Sequence, residues 1–335
     1  MKIIRILILA PIVVYILTLA ILLQLRLVLG DSFPWLAVVN MFSPFLFLPL
    51  PLFFVLTLLM RSWVLLVWQS ILILVAVVWF GPLFIPKEAI QPRSEPLSVI
   101  SFNINPRNRD LDTMTSWLQE QQADIIFLQD LGNQWRNSEI NDLIEQFPHS
   151  EISTVGQGKL ILSRFPLRDA ELIDLNADGV PDTQRTLVDV EGQTIALYNV
   201  HLENPSVRLV DIGDTSLVDL FSAYDDSIRN DQISKLLIRL STEVHPHIVA
   251  GDFNTSSFSA KYYEISRSLG DAFEARGSGF GFTWSAIGRI PLLLRIDYVW
   301  YSRHFRAVFA DVGPSLGSDH LPVRAELELI SVPVR

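Results

Sequence analysis

The 335-residue chain contains no cysteine, which removes disulfides, zinc–thiolate sites and thiol nucleophiles from its chemistry. Charge is nearly missing from its first quarter. Residues 1–86 carry only Lys2, Arg5, Arg26, Asp31 and Arg61, and the other 249 residues hold the remaining 57 of 62 charged side chains. Such a shift marks a change of solvent along the chain, lipid first and water afterwards. The charged part is in turn short of bases: taking four basic residues and one acidic from the totals of 26 and 36 leaves 22 against 35, a net charge near −13. Duplex-binding domains usually carry a basic stripe that neutralises phosphates, and a domain of this charge would repel a polyanion except at a local site. There is also no 20–50-residue repeat and no low-complexity tract.

What the first quarter does have is apolar length. Three runs, residues 6–25, 35–60 and 63–85, each reach the ~20 residues that cross ~30 Å of hydrocarbon as a helix. Asp31 and Pro34 separate the first from the second, and Arg61-Ser62 the second from the third. Pro44, Pro49 and Pro51 predict a kinked or interrupted middle run. A signal peptide is the alternative, because Lys2 and Arg5 resemble a charged leader, but the apolar stretch is too long and no small-x-small cleavage site closes it. The expectation is a multi-pass integral membrane segment over residues 1–86 with the bilayer as partner. Flanking charge barely fixes its direction, since Lys2, Arg5 and Arg61 oppose Arg26, Lys87 and Arg93. The N-terminal pair and the free amine favour an extracytoplasmic soluble part.

Residues 87–96, with Pro92 and Pro96 and mixed charges, read as a tether. Beyond it, short apolar runs at 97–102, 125–128, 160–162, 195–200, 248–250, 296–301 and 323–329 read as buried strands, and Leu111–Gln121 and Asp231–Leu240 as helices. Strands alternating with helices, some strands antiparallel, predict an α/β sandwich. Polar residues recur where these strands end: Asn103 and Asn105, Asp130, His201, Asp252 and Asn254, Asp297, and Ser318-Asp319-His320. One Asn or Asp after a strand is an ordinary turn residue. Together, however, these residues supply carboxylates for a hard cation, amides, and two imidazoles near acids, a set suited to attack of water on a phosphate.

With these residues in order, residues 97–335 resemble the endonuclease/exonuclease/phosphatase superfamily. The motifs are Gly251-Asp252-Phe253-Asn254, Ile296-Asp297-Tyr298-Val299 and Ser318-Asp319-His320, with weaker support from Gly158–Arg164, Arg229–Gln232 and Thr283-Trp284. The resemblance implies a four-layer α/β sandwich of two packed mixed sheets flanked by helices, and a Mg²⁺ or Mn²⁺ cofactor. It implies Asp130, Asp319 and Asn105 at the metal, and Asn103 and Arg185 at the substrate phosphate. It also implies Asp252 as base toward water with Asn254 beside it, His320 paired with Asp297, and His201 at the phosphoryl or leaving oxygen. One position departs from the pattern: the family has Glu where this chain has Asp130, one methylene shorter.

Two further features are less specific. Asp174, Asn176 and Asp178 with Gly179 match the first half of a calcium loop, although Arg185 stands where its bidentate Glu belongs. A structural Ca²⁺ or a plain Asp–Gly turn both account for it. The segment 202–231 is longer than a simple connection needs and reads as a substrate-facing insertion or a surface excursion. The functional expectation is a membrane-anchored, metal-dependent phosphohydrolase acting on a phosphate ester or pyrophosphate, in particular a lipid-linked one. The alternatives are a nuclease and a catalytically weak, tethered binding module. No protein partner is implied.

Overall fold

The computed structural model describes residues 2–88, 90–207, 224–285 and 293–330. The chain divides into two compact units, one containing residues 1–85 and the other built mainly from residues 86–207, 225–257 and 261–335.

In the first unit, α1 (Lys2–Leu29) and α5 (Trp63–Phe80) are continuous helices. The spans Ile3–Leu29 and Trp63–Phe84 are long and apolar enough to cross a membrane. The expected count of about three spanning helices is corrected to two continuous ones, because the middle run is broken. The middle run forms α2 (Pro34–Met41), α3 (Ser43–Leu46) and α4 (Leu50–Leu59), bent by 79° after Met41. Pro44, Pro49 and Pro51 each lack an amide hydrogen, so they open helical turns and cannot continue them. Polar contacts satisfy freed carbonyls: the Tyr15 hydroxyl donates to the Leu46 carbonyl oxygen in the broken run (2.8 Å), and Asn40 Nδ2 donates to that of Gly30 at the end of α1 (2.8 Å).

The second unit is the four-layer sandwich. Its first sheet comprises β1 (Leu97–Asn103), β2 (Ile125–Gln129), β3 (His149–Ser153), β4 (Lys159–Ser163), β11 (Phe305–Val312) and β12 (Val323–Leu329), in the order β11-β12-β1-β2-β4-β3. The second contains β5 (Leu167–Ile173), β6 (Thr183–Val190), β7 (Gln193–His201), β8 (His247–Asp252), β9 (Gly270–Asp271) and β10 (Asp297–Tyr301), in the order β9-β10-β8-β7-β6-β5. Each sheet is mixed, with β1 parallel to β2 and β7 parallel to β8. Alternating side chains of both, such as Val99, Phe127 and Ile161 against Leu197, Ile248 and Val299, close the core between them. Their outer faces are covered by α6 (Leu111–Glu120) and α7 (Ser138–Glu145) on the first sheet and by α8 (Ser227–Ser241) on the second.

Register turns scattered motifs into a site. Asp252 lies opposite His201 on one side and Asp297 on the other, at the ends of three adjoining strands. Asn103 and Gln129 end paired strands of the facing sheet. Gly251 allows the strand before Asp252 to run this close: its φ is +146°, and a Cβ there would sit 1.9 Å from the Val200 carbonyl oxygen. Gly251→Ala is therefore expected to destabilise the domain by about 3 kcal/mol, seen as a lower denaturant midpoint with an unchanged m-value. A midpoint equal to wild type would mean that the close approach relaxes freely.

Candidate active site

Two hydrogen bonds carry the site across the gap between the sheets. Asn103 Nδ2 donates to Asp252 Oδ2 at 3.0 Å, and His320 Nδ1 meets both oxygens of Asp297 at 2.9 and 3.1 Å. Beneath them a buried amide pair adds a third link, with Gln129 Nε2 donating to Asn199 Oδ1 at 2.8 Å. Asp252 is further held by the Asn254 amide on its Oδ1 (2.8 Å). His201 Nε2 and His320 Nε2 each stand 3.7 Å from its Oδ2. Three oxygen and nitrogen ligand atoms of Asp252, Asp297 and His320 lie within 4.8 Å of one another, a spacing a metal ion could bridge. The direct bond from Nδ1 to Asp297 argues instead for an oriented His–Asp pair facing Asp252.

A second group adjoins it. Asn105 Nδ2 donates to Asp319 Oδ1 at 2.6 Å, and Trp284 Nε1 donates to Asp319 Oδ2 at 3.3 Å. The Asp130 carboxyl is within electrostatic reach of Asp319 and His320. Asn105, Asp130 and Asn254 all have left-handed backbones, with φ of 57°, 57° and 48°. Asn and Asp tolerate that region best among residues with a Cβ, so the chain turns sharply just past three strand ends, leaving Asn105 and Asp130 half-buried and Asn254 buried with its Nδ2 donating to the Leu202 carbonyl oxygen. Oxygen donors on Asp130, Asp319 and Asn105 fit a hard divalent cation of the Mg²⁺ or Mn²⁺ class.

Electrostatics separates the roles of the titrating groups. Burial, with the charge of Asp297 added, holds Asp252 above the ordinary carboxylate range, against the pull of His320 and two hydrogen bonds. Burial also opposes charge on His320, but Asp297 and Asp252 outweigh it and raise the imidazole to about 9. His201 goes the other way: burial first, then Lys159 and His320, push it to about 3, leaving it neutral. Asp130 is raised to about 6, mainly by burial. Two imidazoles of opposite charge tendency thus stand in one site with two carboxyls that are both raised, a spread that separates acid from base.

The structure brings together Asn103, Asn105, Asp130, His201, Asp252, Asn254, Asp297, Asp319 and His320. It does not bring Arg185, and that expectation is corrected. On β6 it lies opposite Tyr198, a residue of the outer-face core, and its guanidinium bonds Glu243 (2.8 Å) and the Tyr198 hydroxyl (3.1 Å). Alternation along the strand points its neighbour Gln184, not Arg185, toward the interior between the sheets. The Asp174 loop is organised by backbone donors. Asp174 Oδ1 accepts from the amides of Asn176 and Ala177, and its Oδ2 from Gly179. These oxygens are taken up by backbone donors, as in an Asx-type turn. Of the insertion at 202–231, residues 208–223 lie outside the described residues.

Sequence reasoning assigned no role to Arg229, Thr283 or Lys159. Buried Arg229 donates through Nη1 to the Asn254 carbonyl oxygen, and Thr283 Oγ1 accepts from the Asp297 amide at 3.3 Å. Both sit in the weaker motifs, which located them without showing what they hold. Lys159 also sits in a weaker motif, Gly158–Arg164, as a lone charge opening an apolar strand, and only the alternation of β4 shows that it faces the interior.

The family model described as the Endonuclease/Exonuclease/phosphatase family matches residues 100–320, and the chain belongs to that family. Solved structures with the same fold include the endonuclease/exonuclease/phosphatase from Bacteroides vulgatus, at 20% identity and TM-score 0.55, covering 70% of this chain and 100% of that one. The human Nocturnin catalytic domain with bound sulfate anion is 19% identical with TM-score 0.53, covering 72% and 97%. Truncated Caenorhabditis elegans TDP2 is 21% identical with TM-score 0.51, covering 70% and 97%. No curated protein matches the chain in sequence.

Proposed function

We propose that this protein is a membrane-anchored, divalent-metal-dependent phosphohydrolase that cleaves a phosphate ester or pyrophosphate, with a lipid-linked phosphate as its substrate. The observation that carries the reading is the buried carboxylate Asp252, flanked by two imidazoles and fixed by Asn103 across the sheets. Asp252 orients a water and takes its proton. The His320 imidazolium, held by Asp297, faces the charge that builds on the phosphoryl oxygens. Neutral His201 offers a hydrogen bond to the phosphoryl group or the leaving oxygen. Asp130, Asp319 and Asn105 would hold the cation, which supplies Lewis acidity to the phosphate when bound. The sulfate bound in the human Nocturnin structure is an oxyanion of phosphate shape, which supports this substrate chemistry. Apolar helices joined in sequence to a domain near −13 favour a phosphate presented at a bilayer over duplex DNA.

The test is hydrolysis by the full chain in detergent with Mg²⁺ or Mn²⁺, on polyprenyl pyrophosphate, phospholipid and DNA, read as phosphomonoester product as well as free phosphate. Release from a lipid-linked phosphate, abolished by chelator, is expected. Asp130→Glu should shift the metal concentration for half-maximal activity by several-fold or less. Preferential cutting of DNA would select the nuclease reading, and no metal-dependent release from any substrate would sink hydrolysis altogether.

A further inference from the structure

Lys159 is the one cation of β4, and strand alternation sends its side chain the same way as Ile161, into the space between the sheets. It lies opposite Gln129, the residue before Asp130, and is only 2% exposed. Its Nζ donates to the Pro181 carbonyl oxygen at 3.1 Å. An ammonium has three donors, and among the described residues the other two meet no acceptor and no carboxylate within ion-pair distance. Asp182, the nearest acid in sequence to that carbonyl, is already engaged by Gln232 Nε2, the Leu175 amide and Thr183 Oγ1.

A buried ammonium with no direct ion pair is unfavourable, and Asp182 and Asp130 favour its charge only from beyond ion-pair distance, so its remaining donors are open to a further anion. Burial lowers Lys159 to about 8, which leaves it a cation at neutral pH. Its charge also reaches the site: it acts on Asp130 and on His201. Arg185, the arginine expected at the substrate phosphate, is committed to Glu243 on the outer face. The side of the pocket near Asp130 and His201 therefore has one buried cation with unused donors.

We propose that Lys159 is a substrate-binding residue whose ammonium takes an oxygen of the phosphate group, in the role that sequence assigned to Arg185. The ligand class, a tetrahedral phosphate oxyanion, rests on the phosphohydrolase reading, while the unpaired cation does not. A purely structural lysine would instead serve as counter-charge to Asp182 and Asp130.

The two roles predict opposite signs for Lys159→Met, which keeps the length and removes the charge. Thermal midpoints of the full chain in detergent would be measured with chelator present, with and without inorganic phosphate, so that no metal mediates binding. The wild type is expected to gain stability with phosphate. Lys159→Met is expected to melt higher than wild type without phosphate, and to need at least tenfold more phosphate for the same gain. Lys159→Arg should retain the phosphate response. A lower midpoint or failure to fold in Lys159→Met would overturn the proposal in favour of the structural role. An unaltered phosphate response in that variant, or no response in the wild type, would overturn it too. Absence of metal-dependent turnover alongside the expected phosphate shifts would defeat the hydrolase reading and leave Lys159 as an oxyanion-binding residue.

Discussion

Asp252→Asn is expected to lower turnover by about 10³-fold, within the range that loss of a general base produces, while the protein melts no lower than wild type. The first half follows from geometry: Asp252 is the carboxylate that both imidazoles face, and an amide cannot take a proton from water. The second follows from linkage. The folded carboxyl titrates above its unfolded value because of burial and Asp297. Its ionised form therefore costs stability once the pH exceeds the unfolded value, and that cost is fully developed above the folded one. A neutral amide of the same size removes it. The comparison belongs in chelator, where no cation offsets the acidic cluster. A variant with near-wild-type turnover would remove Asp252 from its role. One inactive but several degrees less stable would show that the carboxylate holds the fold instead.

Asp297→Asn should act through His320, with a drop in turnover of about 10²-fold at neutral pH and a shift of the pH profile. Asp297 is the largest influence raising His320 to about 9, so without its charge the imidazole should titrate well below that value. The alkaline limb of activity, which tracks loss of the imidazolium, is expected to move to lower pH. The stability sign is the usual one for a raised histidine: the contribution is complete below the unfolded value near 6.5 and vanishes as pH rises through about 9. The variant should therefore lose stability at pH 6 and little at pH 10. NMR titration of the His320 ring in metal-free protein checks this directly. An unmoved ring would mean that Asp252 alone sets its charge.

Much of the fold was legible because buried strands advertise themselves. The runs beginning at Leu97, Ile125 and Val323 start β1, β2 and β12 at the same residues. Of the strands that escaped notice, β9 is only two residues long, and β3, β5, β6 and β11 have partly exposed or polar faces and so form no continuous apolar run; β5 is exposed at Arg168, Asp169 and Ala170. The same blind spot explains Arg185. With β6 unread, nothing indicated that residue 184 faces inward and 185 outward. Site membership was legible at strand ends, where motif and register coincide. Backbone conformation was not: the left-handed turns at Asn105, Asp130 and Asn254 come from chain path, which residue type favours but does not dictate. The broken middle helix was foreshadowed by its prolines, although its 79° bend depends on packing that no local pattern records.

The Asn103–Asp252 bond joins strand ends of the two facing sheets, and the His320–Asp297 bond ties the loop before β12 to the second sheet, a placement with a consequence for inactivation. Neither half of the sandwich owns a working set, so the site measures the alignment of the two halves as a vernier does. Successive residues along a strand are ~3.3 Å apart, and a slip of a third of that would stretch both bonds beyond useful length. Moderate heat or enlarged residues at the interior faces of Ile248 or Val299 should therefore silence the enzyme while each sheet still holds its strands together.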